Sequence, residues 1–239
     1  MRARPPDRAG FVERDGVKVG YEVFGHGEPG LLLIPSTPIS HSRSWKGQVA
    51  FLSRHHRVVT VDGRGNGRSD RPAESAAYGP AEVLADHVAV LDAAGLARAV
   101  VVAHCHAVPW ALRLAAEHPD RVSGVVAIAP ALGLAPREGH WTEPGRRWAD
   151  EVVDPTGWAL CNRHAWRQDY PPWPRFFFGE LLPEAHSTKQ YEDAVEWALE
   201  TDAETMIAER QGRASPEDPE AAEALSRSVR CPTLVIHGT

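Results

Sequence analysis

The sequence predicts an α/β fold, a mostly parallel and doubly wound sheet, on three observations. Short aliphatic and β-branched runs recur at Leu31–Ile34, Val58–Val61, from Val100, at Val125–Ile128 and at Thr233–His237. Helix-length segments separate them, and strands joined by helical crossovers lie parallel with both sheet faces covered. The run from Val100 stops abruptly at Cys105, where a helical pattern of Trp110, Leu112, Leu114 and Ala115 starts at once.

Taken in order, Phe11 to Phe24 alternates well enough for an opening antiparallel hairpin, with Arg14, Asp15 and Gly16 as its turn. Leu31–Ile34 ends at Pro35, and Trp45 to Leu52 reads as a helix. Val58–Val61 runs into a glycine-rich loop, Asp62-Gly-Arg-Gly-Asn-Gly-Arg-Ser-Asp-Arg-Pro72. Ala81 to Leu91 is the next helix, with Val83, Leu84, His87, Val88 and Leu91 at helical spacing. From about Leu134 to Ser215 the composition changes, and this stretch carries Trp141, Trp148, Trp158, Trp166, Trp173 and Trp197. Ser187 to Gln190 fits a capping box, followed by Tyr191, Val195, Ala198 and Leu199 on one face. Any one of the tryptophans fits a local core; together they predict an apolar pocket wall. Gly212 to Pro219, acidic and proline-bearing, reads as an exposed return.

The 239 residues, 43% hydrophobic and 24% charged, suit one α/β domain. A net charge of -6, with scattered basic residues, argues against a nucleic-acid surface. Arg2 to Arg8 has no apolar segment behind it, so it does not read as a secretory signal. No run is long enough to cross a bilayer. Cys105, Cys161 and Cys231 lack pairing or CxxC spacing, which points to a reducing cytoplasm. No metal or cofactor is implied.

Strand, sharp turn and helix form the context of a nucleophile elbow, usually G-x-S-x-G. Here the five positions read Ala103-His104-Cys105-His106-Ala107. At a helix start Cys105 meets the positive end of the macrodipole, which favours thiolate, and Pro109 suits the first turn. A buried, unreactive cysteine is the competing reading. Alanine is the smallest substitute for the two glycines the tight turn prefers. The oxyanion donors are expected to be the backbone N–H of His106 and one from Pro35-Ser-Thr-Pro-Ile39, where the prolines cannot donate and Ser36 or Thr37 remains. His104 and His106 read as pocket-lining or surface groups. A shared metal ion is disfavoured because adjacent residues rarely reach one ion, and a local base because neighbours at such a turn point apart. Gly63, Gly65 and Gly67 do not make a nucleotide loop, since Arg68 stands where a dinucleotide fingerprint needs glycine or alanine. They read as a tight loop with Asp62, Arg64, Ser69 and Asp70 as its internal hydrogen-bonding groups.

The elbow, the D-x-R-G-x-G-x-S-x-x-P pattern from Asp62 and Pro232-Thr-Leu-Val-Ile-His-Gly together resemble the α/β-hydrolase fold superfamily. The resemblance covers nearly the whole chain from about Phe11. With Asn162-Arg-His and His186-Ser-Thr-Lys-Gln190, the glycine loop is similar to that of bacterial α/β-hydrolase-domain proteins, some fused to nucleotide-cyclase domains. A cysteine at the elbow resembles dienelactone hydrolase. The resemblance implies a core from 1–134 and 216–239, interrupted by a helical lid over 135–215. It also implies hydrolysis of carboxylic esters, lactones or thioesters, with Cys105 as nucleophile, His106 and Thr37 as oxyanion N–H donors, and a small apolar acyl or ester-like ligand. The alternative is a non-catalytic small-ligand module on a degenerate scaffold.

In this fold the triad runs nucleophile, acid, histidine. The resemblance places the acid just after the Thr233–His237 strand and the histidine later still. The expectation is therefore a C-terminally truncated hydrolase, lacking the final strand and helix, with impaired turnover and an unprotected edge at Thr233.

Overall fold

The computed structural model describes residues 4–36, 38–134, 147–186, 188–213 and 219–238. Strands β1 (Arg8–Arg14) and β2 (Val17–Phe24) form the expected hairpin, with Asp15 and Gly16 both at positive φ in its two-residue turn. Then follow β3 (Leu31–Ile34), a 3-10 turn at Ser42–Trp45 that runs into α1 (Lys46–Leu52), β4 (Val58–Asp62), α2 (Pro80–Ala94), β5 (Ala99–His104), α3 (Val108–Glu117) and β6 (Val122–Ile128). Beyond β6 come α4 (Arg163–Gln168), α5 (Pro172–Leu181), α6 (Thr188–Ala198), α7 (Ala203–Gly212), α8 (Pro219–Ser228) and β7 (Thr233–Ile236).

The seven strands form one sheet in the order β1-β2-β4-β3-β5-β6-β7. β2 pairs antiparallel with β1 and β4, and every later pairing is parallel. Because strand side chains alternate faces, Leu32, Val59 and Val101 enter one core cluster with α2 and α3, while Leu31, Leu33 and Val58 enter another with Trp45 and Val49 of the α1 side. Both faces are thus covered, which is why the central strands read as unbroken apolar runs. The parallel strands end along one rim at Ile34, Asp62, His104 and Ile128. That rim is where open α/β sheets build their sites.

Two element readings change. α8 forms a helix with Ala222 fully buried, just after the Gly212 to Pro219 return, in a stretch for which the sequence reading named no element. His237 lies just past β7 rather than within it. The capping box cannot be compared, because Ser187 lies outside the described residues. Of the α6 stripe, Val195 and Ala198 are buried, whereas Leu199 lies beyond the helix and is partly exposed. β7 forms the sheet edge, with Leu234, Val235 and Ile236 all exposed. An apolar unpaired edge templates association. The 239-residue polypeptide is expected to scatter light increasingly with concentration, and Val235→Lys to suppress this; equal scattering by both would exclude β7 as the contact.

Candidate active site

The elbow follows from a strand that cannot continue as a strand. β5 ends at His104, and Cys105 adopts φ +54° before a 3-10 turn at Cys105–Ala107 leads directly into α3. A left-handed φ in a residue with a Cβ costs energy and recurs at functional turns. The Cys105 carbonyl accepts a hydrogen bond from the Ala131 N–H at 3.3 Å, tying the turn to the segment after β6. Pro109 occupies the start of α3, where no intrahelical N–H is needed. Ala103 and Ala107 are wholly buried, so the positions usually held by glycine are close-packed and a methyl group is accommodated. His106 lies in the first turn, where N–H groups point out of the helix start. Thr37 lies outside the described residues, while Ser36 is buried with its carbonyl turned to Ser40 N–H at 3.1 Å. His104 ends β5 with an exposed side chain, and partial desolvation still holds its pKa below the ordinary value.

The glycine loop after β4 is organised by Asp62. Its carboxylate accepts from Ser42 N–H at 3.0 Å and Arg68 N–H at 3.1 Å. Gly67 sits at φ +59°, and a Cβ there would come within 2.6 Å of the Asp62 carboxyl carbon. Ser69 Oγ donates to the Asp62 carbonyl and accepts from Gly20 N–H at 2.8 Å, while Asp70 accepts from Lys18 N–H at 2.8 Å. Arg64 departs from the expected pattern. Its guanidinium leaves the loop and grips Asp86 on α2.

The same loop docks the helices beyond β6, through groups the sequence reading did not single out. Thr201 Oγ1 donates to Gly65 O at 2.6 Å, Asn66 Nδ2 to Trp197 O at 3.1 Å, and Arg71 Nη2 to Glu200 O at 2.6 Å. His41 is buried with its Nδ1 3.8 Å from Asp62 Oδ1 and its Nε2 3.4 Å from Glu200 Oε2, edge-on to Trp197 at 5.9 Å. Burial pushes the His41 pKa down against the pull of the two carboxylates. Arg43 pairs with Glu200 and Lys46 with Asp193.

A family model described as alpha/beta hydrolase fold matches residues 23–239. The chain belongs to this family. It is 42% identical over 87 residues to epoxide hydrolase B of Mycobacterium tuberculosis, covering 36% of this chain and 24% of that protein. It is 36% identical over 110 residues to the putative carbamate hydrolase RutD of Caulobacter segnis, covering 45% of this chain and 41% of that one. The chain thus matches well under half the length of these curated relatives. A hydrolase from Pseudomonas aeruginosa superposes with TM-score 0.72 at 24% identity, covering 97% of this chain and 80% of that one. The enol-lactonase of Burkholderia xenovorans gives 0.68 at 22%, covering 96% and 81%. These two likenesses speak for the fold.

In this alpha/beta hydrolase the described tryptophans beyond β6 pack chiefly on one another and on neighbouring phenylalanines. Trp148 meets Trp166 at 4.8 Å, Trp158 meets Phe176 at 5.2 Å and Trp173 meets Phe177 at 5.1 Å, a separate aromatic core for these helices. Trp197 serves docking, and Trp141 lies outside the described residues. Among the described residues no cluster of three metal-ligating side chains occurs, and no helix is long and apolar enough to cross a membrane. The three cysteines form no disulfide.

His87 on α2 is fully enclosed, and desolvation pulls its pKa to about 4 despite the neighbouring Asp86. In the unfolded chain the ring regains a pKa near 6.5. Between these values the unfolded state binds the extra proton, so stability is complete above about pH 6.5 and falls as pH drops towards 4. At 1.36 kcal/mol per unit, His87 alone is expected to remove about 2 kcal/mol between pH 7 and pH 5. Urea titrations of wild type and His87→Gln at both pH values check this; an equal loss in the two would assign the pH effect elsewhere.

Proposed function

We propose that this chain cleaves carboxylic esters, lactones or thioesters through Cys105. The observation that carries the reading is the positive φ of Cys105 at the junction of β5 and the α3 turn, on the rim where the parallel strands end. That geometry spends strain to lift one side chain above the sheet. The thiolate attacks the acyl carbon, the departing alkoxide or thiolate takes a proton from solvent, and water hydrolyses the Cys105 thioester to release the carboxylic acid and restore the thiolate. The N–H groups of His106 and Thr37 are the proposed oxyanion donors. Names among the curated relatives, epoxide hydrolase and putative carbamate hydrolase, support hydrolysis of a small molecule.

The helices of 135–215 act in this reading as a lid on a core of 1–134 and 216–239, and the protein works in the cytoplasm without metal or cofactor. The aromatic core of the lid and its polar docking support it as a unit packed on the rim.

The test is exposure to an activated p-nitrophenyl ester with mass analysis of the tryptic peptides. An acyl group on the Cys105 peptide, with a stoichiometric burst of nitrophenolate, is the expected result. Absence of both, with retained binding of a small apolar ester, would assign the chain to the non-catalytic ligand module.

A further inference from the structure

The loop after β4 meets two other elements at Gly65 and Asn66. Asn66 is wholly buried, and both ends of its side-chain amide are matched. Oδ1 accepts from Gly67 N–H at 2.6 Å, which leaves Nδ2 facing two carbonyls. One N–H goes to Pro38 O at 2.5 Å and the other to Trp197 O at 3.1 Å. Gly65 stands at the same junction: a Cβ there, at φ +100°, would lie 3.0 Å from Thr205 Cγ2 on α7 and 3.1 Å from Pro38 Cβ. Thr201 Oγ1 closes the contact by donating to Gly65 O at 2.6 Å. Two residues of the glycine loop thus bind the loop after β3 and the helices beyond β6 at one point.

The neighbours dictate the residue type. Two carbonyl oxygens require two donors on one atom, and the Gly67 N–H requires an acceptor on the other. An amide meets all three demands, which a carboxylate or a hydroxyl does not. A buried polar group satisfied in this way fixes the elements that it joins. Here one of those elements is the segment of the proposed oxyanion donor. Pro38 follows Thr37 in sequence, and on the other side of Thr37 the Ser36 carbonyl accepts from Ser40 N–H at 3.1 Å and from Ser40 Oγ at 3.2 Å. Ser36 and Pro38 are both buried. The turn closes on itself through Ser40, and Asn66 ties its Pro38 carbonyl to the glycine loop.

We propose that Asn66 is a positioning residue for acyl transfer, holding the oxyanion loop at Pro38 and making that placement depend on a seated lid. This rests on the proposed roles of Cys105 and Thr37. The dependence on the lid follows from the shared nitrogen: when α6 lifts, Nδ2 loses Trp197 O and the amide is no longer held from its far side. Negative charge grows on the carbonyl oxygen only as the acyl carbon is attacked. Asn66 therefore acts on the rate of that step and not on the reactivity of the thiolate. Misplacing a group by about 1 Å costs about 100-fold in rate.

The test compares two reactions of Cys105 in the 239-residue protein, each read by mass on its tryptic peptide. Acylation by a p-nitrophenyl ester builds an oxyanion, whereas alkylation by iodoacetamide occurs at a saturated carbon and builds none. Asn66→Ala and Asn66→Asp are expected to slow acylation at saturating ester by about 10- to 100-fold, with the alkylation rate unchanged. Asn66→Asp, which is nearly isosteric, decides the matter should Asn66→Ala fail to fold, and it adds a pH signature. Its carboxylate repels both carbonyls but its protonated form donates to one, so the ratio of acylation to alkylation should rise as pH falls. Loss of packing alone moves both reactions together. Hydrogen exchange of the Ser40 amide reads the brace without the chemistry, and it should quicken in Asn66→Ala and in Thr201→Val, which weakens the lid contact. A wild-type chain that is alkylated but never acylated refutes ester cleavage through Cys105, and the Ser40 exchange then decides the brace by itself. Wild-type acylation with an unchanged ratio in the variants overturns the proposal, as does Ser40 exchange equal in wild type and Asn66→Ala. Equal exchange in Thr201→Val overturns the dependence on the lid.

Discussion

Replacing Asp86 by alanine is expected to remove about 3–5 kcal/mol of stability, the usual cost of stranding one member of a buried ion pair. Arg64 Nε lies 2.5 Å from Asp86 Oδ2 and Nη2 lies 2.9 Å from Oδ1, a bidentate grip between side chains only 2% and 5% exposed. Arg14 adds a further donor to Asp86 Oδ1 at 2.9 Å. Truncation leaves the Arg64 guanidinium enclosed, with Glu82 at 3.4 Å as its remaining carboxylate. Domains of this kind are stable by only about 5–15 kcal/mol, so the urea midpoint at pH 7 should fall steeply. The double variant Arg64→Met/Asp86→Leu is expected to recover much of the loss, because apolar side chains of similar volume need no partner. A contrast lies on the surface, where Arg167 and Glu204 also make a two-pronged pair but are 49% and 66% exposed. Arg167→Ala should leave the midpoint where it is. If Asp86→Ala shifts the midpoint no more than Arg167→Ala does, the buried pair does not hold α2 to the glycine loop.

How far such features can be read from sequence depends on the range over which they are encoded. The elbow was legible because its determinants are consecutive: a β-branched strand, one residue forced into a turn, and a helix with proline in its first turn. The glycine loop was legible for the same reason: Asp62 and Ser69 bond within it as expected, while the Asp70 side chain turns to Lys18 N–H of β2 and only its carbonyl accepts from Gly65 N–H inside the loop. Arg64 was misassigned because its partner Asp86 sits on the next helix, and no local spacing marks that pairing. The docking of Glu200 and Trp197 against His41 and Arg43 spans most of the chain, so it left no local signal. Tryptophan content could not tell a wall of a pocket from a core, because both require the same residue type; only which rings face one another separates them. α8 buries only Ala222, so its ten residues carry too short an apolar stripe to announce a helix in sequence. His87 was placed correctly on the apolar face of α2.

Cys105→Gly is expected to abolish acyl labelling while leaving the fold as stable as before or more stable by about 1 kcal/mol, since glycine enters the left-handed region without the Cβ penalty. Cys105 holds φ +54°, and its side chain is only partly buried, so little packing is lost with the thiol. Cys105→Ala separates the two effects: it loses the nucleophile but keeps a Cβ at the same φ, so labelling disappears without the gain. A thiol retained only as packing predicts the reverse order, with both variants destabilised and the glycine variant more so, as happens when a filled core position is emptied. Thermal melts and burst amplitudes on the three proteins therefore answer one question with two observables. Stability that rises from cysteine to glycine as the burst vanishes marks a turn strained for chemistry. Stability that falls while the label persists elsewhere would make Cys105 a structural residue and return the chain to the ligand-binding reading.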